Sequence, residues 1–163
     1  MGNQQQVRQG VFNNFSKTTE KLGKDTNSSV AFDDFDFVKD KFNYRLAEVK
    51  IWHDSNYIVG IQCIYNMDGQ NKSPGSHQGS AKTKCDSIIL FEGEFITKIV
   101  VRSGSIIDGI GLYTNKGRSL TVGGTGGSIT EFVFNVGSFQ FISFGGSTSK
   151  YLDSFQATYG EIY

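Results

Sequence analysis

From Val30 onward the apolar and polar positions alternate with a period of two, the spacing that puts one face of a strand on a core. Val49, Ile51 and His53 alternate with Lys50, Trp52 and Asp54, and Tyr57 to Tyr65 follows after a short turn, which predicts a hairpin. Residues 66–83 are polar, hold the only proline and predict a long loop. Ser87 to Phe91 and Phe95 to Arg102 predict a second strand pair around Glu92-Gly-Glu94. Ile106 to Thr114, Leu120 to Val122, Phe132/Phe134/Val136 and Phe139/Phe141 continue the pattern, separated by Ser103-Gly-Ser105, Asn115-Lys-Gly-Arg118 and Gly123-Gly-Thr-Gly-Gly127. From Phe144 a Gly/Ser-rich loop runs into a last strand ending at Tyr159, with one acid, Asp153, at the junction.

Three of these segments align with one another. Ile58-Val-Gly-Ile-Gln-Cys-Ile-Tyr65, Ile107-Asp-Gly-Ile-Gly-Leu-Tyr-Thr114 and Leu152-Asp-Ser-Phe-Gln-Ala-Thr-Tyr159 start 49 and 45 residues apart. Such a near-constant period predicts repeated supersecondary units that bury their apolar faces only against each other, and hence a pseudo-threefold all-β body.

Residues 1–29 break the pattern. Val7, Val11, Phe12, Phe15 and Leu22 are their sizeable apolar groups, too few to close a core, so the segment reads as a polar extension ahead of a domain over 30–163. Val11, Phe15 and Leu22 fit one face of a short helix with Ser16 to Lys24 as its polar remainder, and the expectation is a docking arm that lies on this body or binds a protein partner, as that helix or as a strand added to a sheet edge. On that reading a chain starting at Thr26 keeps its stability and loses its partner.

Composition agrees with many short strands: 20 Gly, one Pro, 14 Phe and seven Tyr in 163 residues. Sixteen basic residues balance sixteen acidic ones, leaving no electrostatic case for nucleic acid. The N-terminal stretch has no signal-peptide core and no segment reaches membrane-spanning length, which points to a cytoplasmic setting. There Cys63 and Cys85 read as free thiols. Met1-Gly2-Asn3 suggests N-myristoylation at Gly2, but Gln6 stands where the motif wants Ser or Thr.

Several residues carry a family likeness. Ala31-Phe-Asp-Asp34, Ile58-Val-Gly-Ile-Gln62, Ile96-Thr-Lys-Ile99, Ile107-Asp-Gly-Ile-Gly-Leu-Tyr-Thr-Asn-Lys-Gly-Arg118, Phe144-Gly-Gly146 and Tyr151-Leu-Asp-Ser154 occur in the order and spacing of the jacalin-related lectins, which the sequence resembles over about Val30 to Tyr159. The resemblance implies a β-prism of three four-stranded antiparallel sheets about a threefold pseudo-axis. It also implies a non-catalytic site for a mannose- or galactose-like carbohydrate, in which a Gly-x-x-x-Asp loop before the last strand faces a glycine-rich turn near the chain start.

The matching residues are Ser149, Lys150, Tyr151, Leu152 and Asp153. Asp153 would accept hydrogen bonds from two adjacent sugar hydroxyls while loop N–H groups donate to other oxygens. The alternative for Asp153 is a turn residue capping local backbone N–H groups. Ser149 replaces the motif's glycine, an obstacle if that position needs φ > 0 or close ligand approach, and Asn27-Ser-Ser29 replaces the glycine-rich turn. Gly104 to Asp108 is an intact second copy of the spacing.

Other chemistry is excluded by pattern. His53 and His77 lack zinc-ligand spacing. The Gly123–Gly127 loop has no following Lys-Ser/Thr and leads into a strand, so it is no phosphate cradle. Asp33 with Asp34, or Glu92 with Glu94, cannot converge across a glycosidic bond. No enzyme, metal or cofactor is expected, and the rival function is a structural subunit that uses the prism as a rigid protein-binding module.

Overall fold

The computed structural model describes residues 16–41, 43–134 and 139–161. The chain enters through β1 (Lys17–Thr18), β2 (Leu22–Gly23) and β3 (Val30–Asp33), followed by one helical turn, α1 (Phe35–Val38). Next come β4 (Tyr44–His53), β5 (Ile58–Met67), β6 (Gln70–Lys72), β7 (His77–Gln78) and β8 (Lys84–Ile89). A second group holds β9 (Ile96–Ser103), β10 (Ile107–Thr114), β11 (Ser119–Gly123) and β12 (Ser128–Val133), and β13 (Phe139–Thr148) with β14 (Leu152–Glu161) closes the chain.

All pairings are antiparallel and form three sheets. Two orders are β11-β10-β9-β12 and β6-β5-β4-β8, with β7 also on β5; the third is β1-β14-β13-β3, with β2 also on β14. Because β1/β2 and β6/β7 are each one interrupted edge, every sheet is four strands wide, as expected for a β-prism. Each group of four consecutive strands makes one sheet, except that the third takes its outer strands from the N-terminal end.

The three repeats are the strands β5, β10 and β14, and the alternation buries matching layers. Ile58, Ile107 and Leu152 form one, Ile61, Ile110 and Phe155 the next, and Cys63, Leu112 and Ala157 a third, all in the common core. A strand exposes alternate side chains to one face, so repeating the pattern three times yields one shared interior. Tyr65 crosses it and donates its hydroxyl hydrogen to the Ile142 carbonyl at 2.7 Å.

One end of the prism is tied by a ring of backbone contacts that obeys the pseudo-symmetry. The Gly124 N–H donates to the Asp108 carbonyl at 2.8 Å, and a Cβ on Gly124 would lie 2.2 Å from the Asn56 carbonyl oxygen. The Gly79 N–H donates to Val59 at 2.8 Å, with its virtual Cβ 2.2 Å from the Lys150 oxygen. The Lys24 N–H is shared between the carbonyls of Asp153 at 2.9 Å and Ser105 at 3.0 Å. Each residue thus bridges its own repeat to the next.

Four expectations change. Ser16 to Lys24 is not the polar side of a helix: Leu22 pairs with Phe155 and Lys17 with Tyr159, because the open edge of β14 offers backbone hydrogen bonds that a short isolated helix cannot rival. Residues 17–18 and 22–23 thus lie on this body as added edge strands, one of the placements open to the arm. Val7, Val11, Phe12, Phe15 and Gly2 lie outside the described residues. The second predicted strand pair is split: β8 pairs with β4, while both edges of β9 are taken by β10 and β12. A turn in which the Glu94 N–H donates to the Phe91 carbonyl at 2.9 Å carries the chain between the sheets. The polar loop 66–83 contains β6 and β7, and the Gly/Ser run 144–148 is strand, so the loop ahead of Asp153 is only Ser149 to Tyr151.

Candidate functional site

The ring end of the prism carries three equivalent loops, each entering a repeat strand. They present Val59, Asp108 and Asp153 at the same place, since each carbonyl accepts from the bridging residue of its repeat. The first has the buried Val59 at that position, and its own acid, Asp54, accepts from the Asn56 and Tyr57 N–H groups, so only the other two loops hold an acid at the equivalent place.

The start of each loop shows what Ser149 costs. The Gly104 N–H donates to Ile106 and the Ser149 N–H to Tyr151, both at 3.0 Å, so the two turns are alike. Neither residue has φ in the left-handed region. The serine therefore carries no backbone strain, and the φ > 0 condition does not arise at this position.

The Asp108 loop faces the glycine-rich Gly123–Gly127 loop. Asp108 is half-buried, and among the described residues no side chain hydrogen-bonds to its carboxylate. Burial raises its carboxyl above the ordinary 3.8, opposed by the Gly104 backbone N–H. A Cβ on Gly126 would stand 2.8 Å from Asp108 Oδ2, so the missing side chain is what leaves that oxygen approachable. Gly127 has φ +74°, which a side chain would strain, and Arg102 pins the loop by donating from its guanidinium to the Thr125 carbonyl at 3.1 Å.

The Asp153 loop is organised differently. Asp153 is 2 % exposed, and the Ser29 hydroxyl donates to its Oδ2 at 2.7 Å. Asp25 lies alongside, accepting from Ser147 at 2.5 Å and Ser154 at 2.7 Å and pairing with Lys21. These partners hold its carboxyl down to about 2, with the Lys21 contact the largest cause. Of the remaining residues expected here, Leu152 is core. The carbonyls of Ser149 and Lys150 accept from Ser80 and Ala81, both at 3.1 Å, which ties this loop to the β7–β8 connection. Tyr151 packs on Tyr57 with ring centres 5.0 Å apart, and the Lys150 ammonium lies 5.5 Å from the Tyr151 ring centre.

Other candidate groups are committed to structure. His53 Nε2 meets Asp86 at 2.6 Å. His77 Nε2 meets the buried Asp34 at 2.7 Å while its ring stacks on Phe32 at 3.9 Å. Burial raises the Asp34 carboxyl and the His77 contact offsets part of that. Asp33 accepts from the Phe35 N–H at 3.1 Å. Cys63 is buried and Cys85 exposed, and neither is in a disulfide. Among the described residues no cluster fits a metal ion, and no helix is long and apolar enough to cross a membrane.

Sequence reasoning named Gly104 and Asp108 but missed their partner, the loop Gly124 to Gly127. The signal was present: once the three repeats are superposed, that loop follows the second repeat and stands opposite its own acid.

Comparison with known proteins agrees with this architecture. The family model of the jacalin-like lectin domain matches residues 19–158. No curated protein matches the chain at the level of sequence. Among solved structures, frutalin from Artocarpus incisa is 20% identical with TM-score 0.73, covering 89% of this chain and 95% of its own. A mannose-binding jacalin-related lectin from Ananas comosus is 19% identical with TM-score 0.72, covering 90% and 99%. Artocarpin, solved with methyl α-mannose, is 17% identical with TM-score 0.71, covering 90% and 98%.

Proposed function

Because the chain belongs to the jacalin-like lectin domain family, we propose that it binds carbohydrate without catalysis, and that its working site is the Asp108 loop facing Gly123–Gly127, not the Asp153 loop. The observation that carries this is Gly126: it leaves Asp108 Oδ2 free of any side chain, while the equivalent approach to Asp153 is filled. A half-buried carboxylate accepts from two adjacent ring hydroxyls, and the N–H groups of the flanking loops donate to neighbouring oxygens. Half-burial strengthens these hydrogen bonds relative to water, and Arg102 keeps the glycine loop placed to supply its part.

A mannose-like sugar is the first ligand to test, since artocarpin was solved with methyl α-mannose. The protein-binding alternative rested on residues 1–29, whose described part completes this chain's own third sheet. Calorimetric titration with methyl α-mannoside tests the reading: Asp108→Asn abolishes binding and Asp153→Asn leaves the affinity within about twofold. Absence of binding to any sugar on a glycan array would refute it.

A further inference from the structure

The contact between Ser29 and Asp153 has the geometry of a bound ligand. A sugar-binding carboxylate of this kind waits for a hydroxyl donor, and Asp153 already has one at 2.7 Å from its own chain. That hydroxyl is held in place. Ser29 Oγ accepts from the Thr26 N–H at 2.8 Å, the Ser29 N–H donates to the Thr26 carbonyl at 3.1 Å, and the Thr26 hydroxyl lies 3.1 Å from Ser29 Oγ. The turn from Thr26 to Ser29 is anchored in turn by Asp25 on Ser147 and Ser154 and by the shared Lys24 N–H.

The Asp108 loop serves as an internal control. It has the same acid position, the same turn at its start and the same backbone bridge, but Gly126 stands beside the carboxylate where the other loop brings Ser29. The difference between an approachable and a closed carboxylate therefore lies in the facing segment and not in the Gly-x-x-x-Asp loop. A tethered hydroxyl also needs no translational freedom to reach its acceptor, so a free sugar of ordinary affinity does not displace it.

We propose that Ser29 is a built-in ligand whose hydroxyl takes the place of a sugar hydroxyl on Asp153, so that the chain holds one working carbohydrate site and one latent site and Ser29 sets the valency. A one-site protomer binds a branched glycan without bridging two of them; freeing Asp153 makes it a cross-linker. The proposal rests on carbohydrate binding at Asp108 for the wild-type count, but the latent site is measured separately.

The test is the stoichiometry of methyl α-mannoside binding to the full chain by calorimetry, with precipitation of a soluble branched mannan as second readout. Wild type takes up one sugar per chain and Ser29→Gly two, and only the variant precipitates the mannan. Asp108→Asn takes up none, and Ser29→Gly with Asp108→Asn takes up one. Ser29→Ala, which removes the hydroxyl and keeps the Cβ, replaces the glycine variant should that fold poorly. Two sugars on wild type, or none on the double variant while wild type binds one, overturns the proposal. Binding to the double variant with none to wild type would refute the Asp108 reading while sustaining the latent site, and no binding to any of the four proteins overturns both.

Discussion

Arg118 donates from its guanidinium to Glu94 Oε1 at 2.6 Å, at the end of β10 away from Asp108. The Glu94 side chain is fully buried while that of Arg118 is 39% exposed, so the arginine is the gate between an interior charge and water. The Thr114 hydroxyl and Phe91 N–H also donate to Glu94, at 2.7 and 3.0 Å. Breaking a buried pair from one side costs about 3–5 kcal/mol, and the half-solvated arginine lowers that here to roughly 2–3 kcal/mol. Arg118→Met is expected to lose that much in urea unfolding; a loss under about 0.5 kcal/mol would mean that Thr114 and Phe91 hold the charge alone.

The same group sets an acid limit. Burial raises the Glu94 carboxyl, but Phe91, Thr114 and Arg118 together outweigh burial and hold it below its ordinary value of 4.5. A carboxyl depressed in the folded state adds stability that is present above the ordinary value and disappears as pH falls through the folded one. Asp25 adds to this between its ordinary 3.8 and about 2. Acid unfolding of wild type should steepen below pH about 4, and Asp25→Asn should flatten that slope; parallel curves would contradict the assignment.

Gly126→Ala separates site from fold. Its φ lies outside the left-handed region and the nearest atom to the new Cβ is the end of the Asp108 side chain, at 2.8 Å. Thermal stability should hold or rise by up to about 1 kcal/mol, while sugar affinity falls at least about tenfold, or 1.4 kcal/mol. Unchanged affinity would place the ligand elsewhere.

At the proposed site binding should also weaken in acid, because there Asp108 would accept hydroxyl hydrogen bonds as a carboxylate. Its carboxyl titrates above the ordinary 3.8, so affinity declines at a higher pH than an exposed aspartate would give. Calorimetry across pH 3–7 reads this, and a flat profile would exclude Asp108 as the acceptor.

A chain starting at Thr26 loses β1, β2, the Lys24 bridge and both Asp25 hydrogen bonds, whereas one starting at Ser16 keeps them. Hydrogen bonds to a charged group contribute about 1.5–3 kcal/mol each, so the shorter chain should be less stable by at least about 3 kcal/mol. Equal melting temperatures would restore the view of this segment as a dispensable arm.

The threefold body was legible because Ile58, Ile107 and Leu152 open near-identical stretches and each stretch supplies the same layer to the core. The spacing of Gly104 and Asp108 was legible too. What period and composition did not reveal was the fate of residues 16–29, since a polar edge strand owes its place to backbone hydrogen bonds, which leave no side-chain pattern. Nor did they show which acid was free: Ser29 and Asp153 are separated by 124 residues, and nothing local to either one announces the contact.

That third sheet also orders events in time. Its outer strands β1, β2 and β3 are made before the other two sheets, yet the strands they pair with, β13 and β14, are made after them. Asp25 must wait for Ser154, 129 residues later, and at about 5–20 residues per second that is on the order of ten seconds on the ribosome. The other two sheets are contiguous and can close as they emerge, while residues 17–33 hold unpaired strand edges until β13 and β14 emerge. The closing of the ring at Lys24 therefore waits for Asp153 and comes after the other two sheets can close, and the interval before it is the period in which a chaperone has most to shield.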